Sequence, residues 1–140
     1  MFVSSFDSAP LAPDYEYILG DDIGNLQKGF DALSTLTGGK VHLSSRPNSI
    51  FSKINGVKHH TFDGVHPAGN VGTQMHHIDP VNKGEFVWSI NIQEVAAIGR
   101  LINEGTVSSS RIIALTGSEL KNPTYVNVSK GTEMSAILDK

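Results

Sequence analysis

Cysteine is absent from all 140 residues. Its absence excludes disulfides, a thiolate nucleophile, a cysteine-ligated iron–sulfur cluster and cysteine-ligated zinc from this chain. Long apolar runs are missing too, for none approaches the roughly 20 residues that span a bilayer as a helix. Met1-Phe2-Val3-Ser4-Ser5 has neither the charged start nor the sustained apolar core of a secretory leader. A formal net charge of −3 leaves no basic footprint for nucleic acid and no polybasic patch for a membrane surface. Several catalytic signatures are also lacking. There is no G-x-G-x-x-G, no Gly-Lys-Ser/Thr to hold a phosphate, no G-x-S-x-G elbow and no H-E-x-x-H zinc helix.

The remainder is ordinary for a globular chain. Apolar residues make up 39% and charged residues 18%, and the length suits one domain with one core. The sequence therefore reads as a soluble piece, peripheral if it works at a membrane. Both ends look cut, as in a domain excised from a longer protein. Thr132 to Leu138 reads as a capped helix just beginning where the sequence stops.

The most distinctive stretch runs from Gly64 to Thr73. Three glycines and a proline in ten residues favour tight turns and close approach over a helix or paired strand. A polar run from Gln74 to Val81 follows. Such a loop at a strand end of an α/β sheet is where ligands and partner surfaces usually sit. We single out Gly64, His66, Pro67, Ala68, Gly69, Gly72 and Thr73 as a ligand- or partner-proximal loop. Its glycines imply positive φ or a backbone lying close to another chain. Valine at Gly69 or Gly72 is therefore expected to damage a surface function more than the fold.

Around this loop, strands and helices alternate. Phe2–Ser5, Lys40–Ser44, Val57–Asp63, Glu85–Ile90, Arg111–Leu115 and Thr124–Val128 read as strands. Asp7–Tyr17, with two prolines, reads as an irregular connection. Asp21 or Asp22 caps a helix with its apolar stripe on Ile23, Leu26, Phe30 and Leu33, weakened by Gly24 and Gly29 and stopped at Gly38-Gly39. Pro47–Ile54 reads as a short helix. Asn91, with Glu94 in a capping-box arrangement, opens the best helix, whose stripe is Ile92, Val95, Ala96, Gly99 and Ile102 and whose stop is Gly105. The pattern implies an α/β fold: a three-layer, Rossmann-like domain over residues 1–130 with a mostly parallel sheet. The last two strands lack a helix between them and are expected to pair antiparallel at one edge.

Six histidines raise a metal question. His59-His60 and His76-His77 are adjacent pairs whose side chains diverge on a strand, and His60, His66, His76 and Asp79 could meet only through tertiary folding. No metal site is expected. His66, inside the glycine loop, has two readings. It acts as acid, base or donor to a carbonyl ligand such as a quinone, or its ring pins the loop to the sheet. Asp7, Asp14, Asp21 and Asp22 read as caps and turn residues, and Trp88 as core.

The run Gly64 to His76, with Ile78-Asp79-Pro80-Val81 and Val87 to Gly99, closely resembles the NqrA component of the sodium-translocating NADH:quinone oxidoreductases. Phe2 to Pro13 and Arg111 to Gly117 resemble the same family, so the likeness covers almost the whole chain. The H-P-A-G-x-x-G-T segment is its most specific part. The resemblance implies a six-subunit bacterial membrane complex that oxidises NADH, reduces ubiquinone or another quinone and exports sodium. It implies FMN, FAD and a 2Fe-2S cluster on other subunits, and no cofactor in this chain. The NqrA component is implied to be a peripheral member at the cytoplasmic side of the inner membrane, without a span, contacting the other subunits. The resemblance carries no catalytic residue onto this sequence. It implies that Gly131-Thr132-Glu133 opens a following β-grasp, soluble-ligand-binding domain over residues 131–140.

The leading expectation is thus a domain of a redox-driven ion pump, non-catalytic by itself, that supplies assembly surface and part of a quinone route. The rivals are a flavin- or nucleotide-binding oxidoreductase domain retaining its own cofactor, and a small metalloprotein built on the histidines.

Overall fold

The computed structural model describes residues 1–138, so the last two positions of the expected 131–140 segment lie outside the described residues. In chain order the elements are β1 (Phe2–Ser4), α1 (Tyr15–Leu19), α2 (Ile23–Leu36), β2 (His42–Ser45), β3 (Lys58–Thr61), α3 (Val71–Ile78), β4 (Ser89–Asn91), α4 (Ile92–Glu104), β5 (Ser110–Leu115), β6 (Thr124–Ser129) and α5 (Ser135–Leu138). Short 3-10 turns cover Gly20–Asp22 and Ile50–Lys53.

Four strands form one parallel sheet in the order β3-β2-β1-β4. Register places Val3, Leu43 and Ile90 on one face, where Leu26, Phe30 and Leu33 of α2 and Ile92, Val95 and Ala96 of α4 bury them. The opposite face carries Phe2, Ser4, His42 and His60, and α3 lies against it through Gln74, whose Nε2 donates to Ser4 Oγ at 3.0 Å. Helices on both faces explain why a sheet of such short strands is stable.

The two long helices meet backbone to backbone. A Cβ on Gly29 would collide with the Val95 carbonyl, and one on Gly99 with the Asn25 carbonyl. These glycines lose helix propensity but let the apolar stripes interlock. Asp22 occupies the N-cap position of α2 without capping it. Its carboxylate instead accepts from Arg100 Nε at 2.9 Å and from Asn25 Nδ2 at 2.7 Å, which ties α4 to the start of α2.

The expected antiparallel pair forms as a separate two-stranded sheet of β5 and β6. It is fastened to α4 by Gln93, and Glu94 accepts from Lys130 Nζ at 2.7 Å and faces Arg111 at 3.6 Å. Glu94 therefore serves the hairpin rather than a capping box. On the other side Tyr125 Oη accepts the Asp14 N–H at 2.9 Å, and its ring packs on Tyr17 at 5.2 Å.

Three stretches differ from the sequence reading. Asp14 caps α1, its Oδ1 accepting from Glu16 N at 2.9 Å, inside a segment read as irregular. Val71–Ile78 is helical although read as loop and polar run. Gln74 supplies its buried contact, and Gly72 sits inside the helix rather than at a turn. The expected strand Glu85–Ile90 shrinks to Ser89–Asn91. Asn82 and Glu85 close a turn upstream, with Glu85 Oε2 accepting Asn82 N at 2.8 Å, and Trp88 is 72% exposed rather than core.

Candidate functional site: the crevice between the first and fourth strands

From β1 the chain steps to β2 and β3 on one side, then crosses to β4 on the other. The gap between the carboxyl ends of β1 and β4 is thus a topological switch point, where open parallel sheets place their ligands. A cavity of about 390 Å³ lies there, within the size range of small-molecule sites. Its walls come from the end of β1 and the segment after it, from β4, from the loop before α3 and from the first residues of α1 and α3.

The Gly64–Thr73 loop roofs this cavity, and a chain of hydrogen bonds seats it. Gly69 N donates to Ser8 Oγ at 2.8 Å, and a Cβ on Gly69 would collide with the Asp7–Ser8 backbone. Ser8 Oγ also meets His66 Nδ1 at 3.2 Å. Gln74 is fully buried. Its Nε2 donates to Ala68 O and to Ser4 Oγ, both at 3.0 Å, while its Oε1 has no partner among the described residues. Donation to the Ala68 carbonyl fixes which end of the amide is nitrogen.

Of the residues singled out in the loop, His66 and Gly69 line the cavity. Gly64 has φ 116° and turns the chain after β3, and the His66–Pro67 peptide is cis. Ala68 lends its carbonyl to Gln74, whereas Gly72 has open space beyond it and Thr73 lies in the first turn of α3. Gly69 and Gly72 are therefore unlike. The close approach expected of both belongs to Gly69 alone, and its partner is this chain's own β1 exit.

The sequence reading missed Tyr15 and Asn91 as site residues. Tyr15 enters from α1 and Asn91 from the end of β4, and both line the cavity. Asn91 was legible only as a cap, a role it fills by accepting Gln93 N at 2.9 Å on Oδ1.

The histidines divide into separate contacts. His59 Nε2 meets the Ile54 carbonyl at 2.6 Å on one face of the sheet. On the other, His60 Nε2 and His42 Nδ1 lie 3.0 Å apart, their rings stacked at 5.1 Å, with Phe2 stacked on His42 at 4.5 Å. Burial, then the His60 ring and Lys58, lower the pKa of His42; burial, then Lys58 and His59, lower that of His60. His76 and His77 sit on α3 rather than a strand. Among the described residues no three His, Asp or Glu side chains are placed to hold a metal, so His60, His66, His76 and Asp79 form no such cluster.

The family model described as the NqrA second alpha/beta domain matches residues 1–107, ending before β5. Among curated proteins, the A-type component of the Na(+)-translocating NADH-quinone reductase of Vibrio atlanticus is 39% identical over 140 residues, a match covering 99% of this chain and 31% of that protein. The protein of the same name from Alcanivorax borkumensis is 40% identical over 136 residues, covering 96% and 30% respectively. Its counterpart from Marinomonas sp. is 38% identical over 138 residues, covering 99% and 31%. The chain thus spans about a third of the length of these curated relatives.

Proposed function

Because the chain belongs to the family of NqrA second alpha/beta domains, we propose that it serves as a peripheral domain of a sodium-translocating NADH:quinone reductase. In this reading it sits at the cytoplasmic side of the bacterial inner membrane and docks against the other subunits. Those subunits carry the flavins and the iron–sulfur cluster, and this domain does not itself oxidise NADH. Among the described residues no helix is long and apolar enough to cross a membrane, which suits a peripheral place.

The observation that carries the reading is the cavity at the switch point, roofed by the loop from Gly64 to Thr73. We assign it a place beside the quinone. Residues 1–130 act as one unit in this proposal, supported by the Gln93 and Glu94 contacts that hold the β5–β6 hairpin to α4. Residues 131–138 lead into the following domain.

Filling the cavity tests the assignment. Val71 lines it from the first turn of α3 and takes no part in the bonds that seat the loop. Val71→Phe in the assembled enzyme should lower quinone reduction at least about tenfold, a loss of roughly 1.4 kcal/mol of interaction, and leave NADH oxidation by an artificial acceptor intact. Unchanged quinone reduction would overturn the quinone-proximal assignment.

A further inference from the structure

Tyr15 is nine-tenths buried, with a relative exposure of 9%, yet it reaches the wall of the cavity. Its Oη accepts a hydrogen bond from Asn91 Nδ2 at 3.1 Å. The orientation of that amide is set independently, because Asn91 Oδ1 is occupied as the cap of α4. The phenol proton is therefore free to be donated, and no acceptor for it lies among the described residues. Tyr15 and Asn91 both line the cavity, so the hydroxyl they share is a donor available at its wall.

His66, also in the lining, meets Ser8 Oγ through Nδ1, and the same hydroxyl accepts the Gly69 N–H. The lining carries a single formal charge, the Asp7 carboxylate, which disfavours an anion. A hydroxyl donor in a lining without Lys or Arg selects a neutral ligand that offers an acceptor oxygen.

We infer that the cavity takes a neutral planar ring bearing carbonyl oxygens, one of which accepts the Tyr15 hydroxyl proton, with Asn91 as the positioning residue. This rests on the quinone-proximal reading and names the residue that recognises the carbonyl.

The probe is tetramethyl-1,4-benzoquinone, whose ring carbons are fully substituted, titrated into the isotope-labelled chain and followed by NMR. The Asn91 side-chain amide and the Gly69 and Val71 amides should shift together, and neither FMN nor inorganic phosphate should compete. Tyr15→Phe keeps the ring and removes the donor, so affinity should fall about tenfold. Asn91→Asp keeps a capping oxygen but presents an acceptor to the phenol, drawing its proton away from the ligand, and should cost about as much. The double variant should bind no worse than either single one, because both remove the same interaction, while thermal melts confirm that all three fold. A merely structural role for Tyr15 would lower the melts and spare the affinity of the folded fraction. Undiminished binding by folded Tyr15→Phe, shifts located elsewhere, or no binding by the parent chain would each overturn the inference. If quinone reduction by the assembled enzyme still responds to Val71→Phe, the wider reading survives that loss; if it does not, both fall.

Discussion

Gln93 pairs with Ile112 as a strand residue would, its Nε2 donating to the Ile112 carbonyl at 3.0 Å and its Oε1 accepting the Ile112 N–H at 3.1 Å. A helix side chain thus substitutes for a third strand along the open edge of β5. A two-stranded sheet is marginal by itself, so this contact should matter to the hairpin more than to the parallel core. Gln93→Ala should lower stability by about 2 kcal/mol, roughly 1 per hydrogen bond, and speed amide exchange at Ile112 while leaving Leu43 protected. Equal exchange at both amides in variant and parent would show that the hairpin holds without Gln93.

Glycines on the two long helices should respond in opposite directions. Gly24 has nothing within 4 Å of its missing Cβ, whereas Gly99 faces the Asn25 carbonyl. Gly24→Ala should stabilise the chain by about 0.5–1 kcal/mol, and Gly99→Ala should destabilise it by about 3 kcal/mol through forced separation of α2 and α4. Denaturant midpoints with unchanged slopes measure both.

The same contrast divides the loop. Gly69→Val drives a side chain into the Asp7–Ser8 backbone and should unseat the roof of the cavity, lowering the melting temperature. Gly72→Ala lies in α3 with open space around it and should be neutral or stabilising by up to about 1 kcal/mol. Parallel losses of stability in the two variants would contradict the structure.

Acid should weaken the fold through the stacked histidines. His42 and His60 both titrate below their ordinary value of 6.5, chiefly because they are partly buried. Neighbouring groups add to this: the His60 ring, Lys58 and the N-terminus lower His42, with Asp79 opposing, and Lys58 and the His59 ring lower His60. Between the folded and unfolded values the unfolded chain binds more protons. Stability is then full above about pH 6.5 and falls as the pH drops through the lowered folded values. His60→Gln should flatten the dependence of melting temperature on pH between about 7.5 and 5. An unaltered slope would assign the acid sensitivity to other groups.

Periodic burial was the legible part of this fold. The stripes of α2 and α4 are visible because each helix buries one face at the period it dictates, although Ile102, expected in the α4 stripe, is 53% exposed. Strands β1 and β5 are visible as short apolar runs, β1 buried on both faces and β5 half-buried from Arg111 to Leu115. The helix α3 escaped because its buried residue is Gln74, a polar side chain whose burial depends on Ser4 and Ala68. Trp88 misled because an aromatic beside a strand usually packs inward, but here it precedes a strand at the sheet edge. Within the site, the glycine loop could be found from composition. The Tyr15–Asn91 contact could not, since its residues are 76 positions apart and Asn91 already has a sufficient local role as a cap.

The β5–β6 hairpin lies beyond the stretch matched by the family model, yet two of its contacts fall close in sequence to the Tyr15–Asn91 pair. Tyr125 accepts the N–H of Asp14, the neighbour of Tyr15, while Ile112 holds Gln93, two residues after Asn91. The hairpin therefore acts as a buttress from outside the cavity lining, bracing the residue next to Tyr15 and the residue two positions after Asn91.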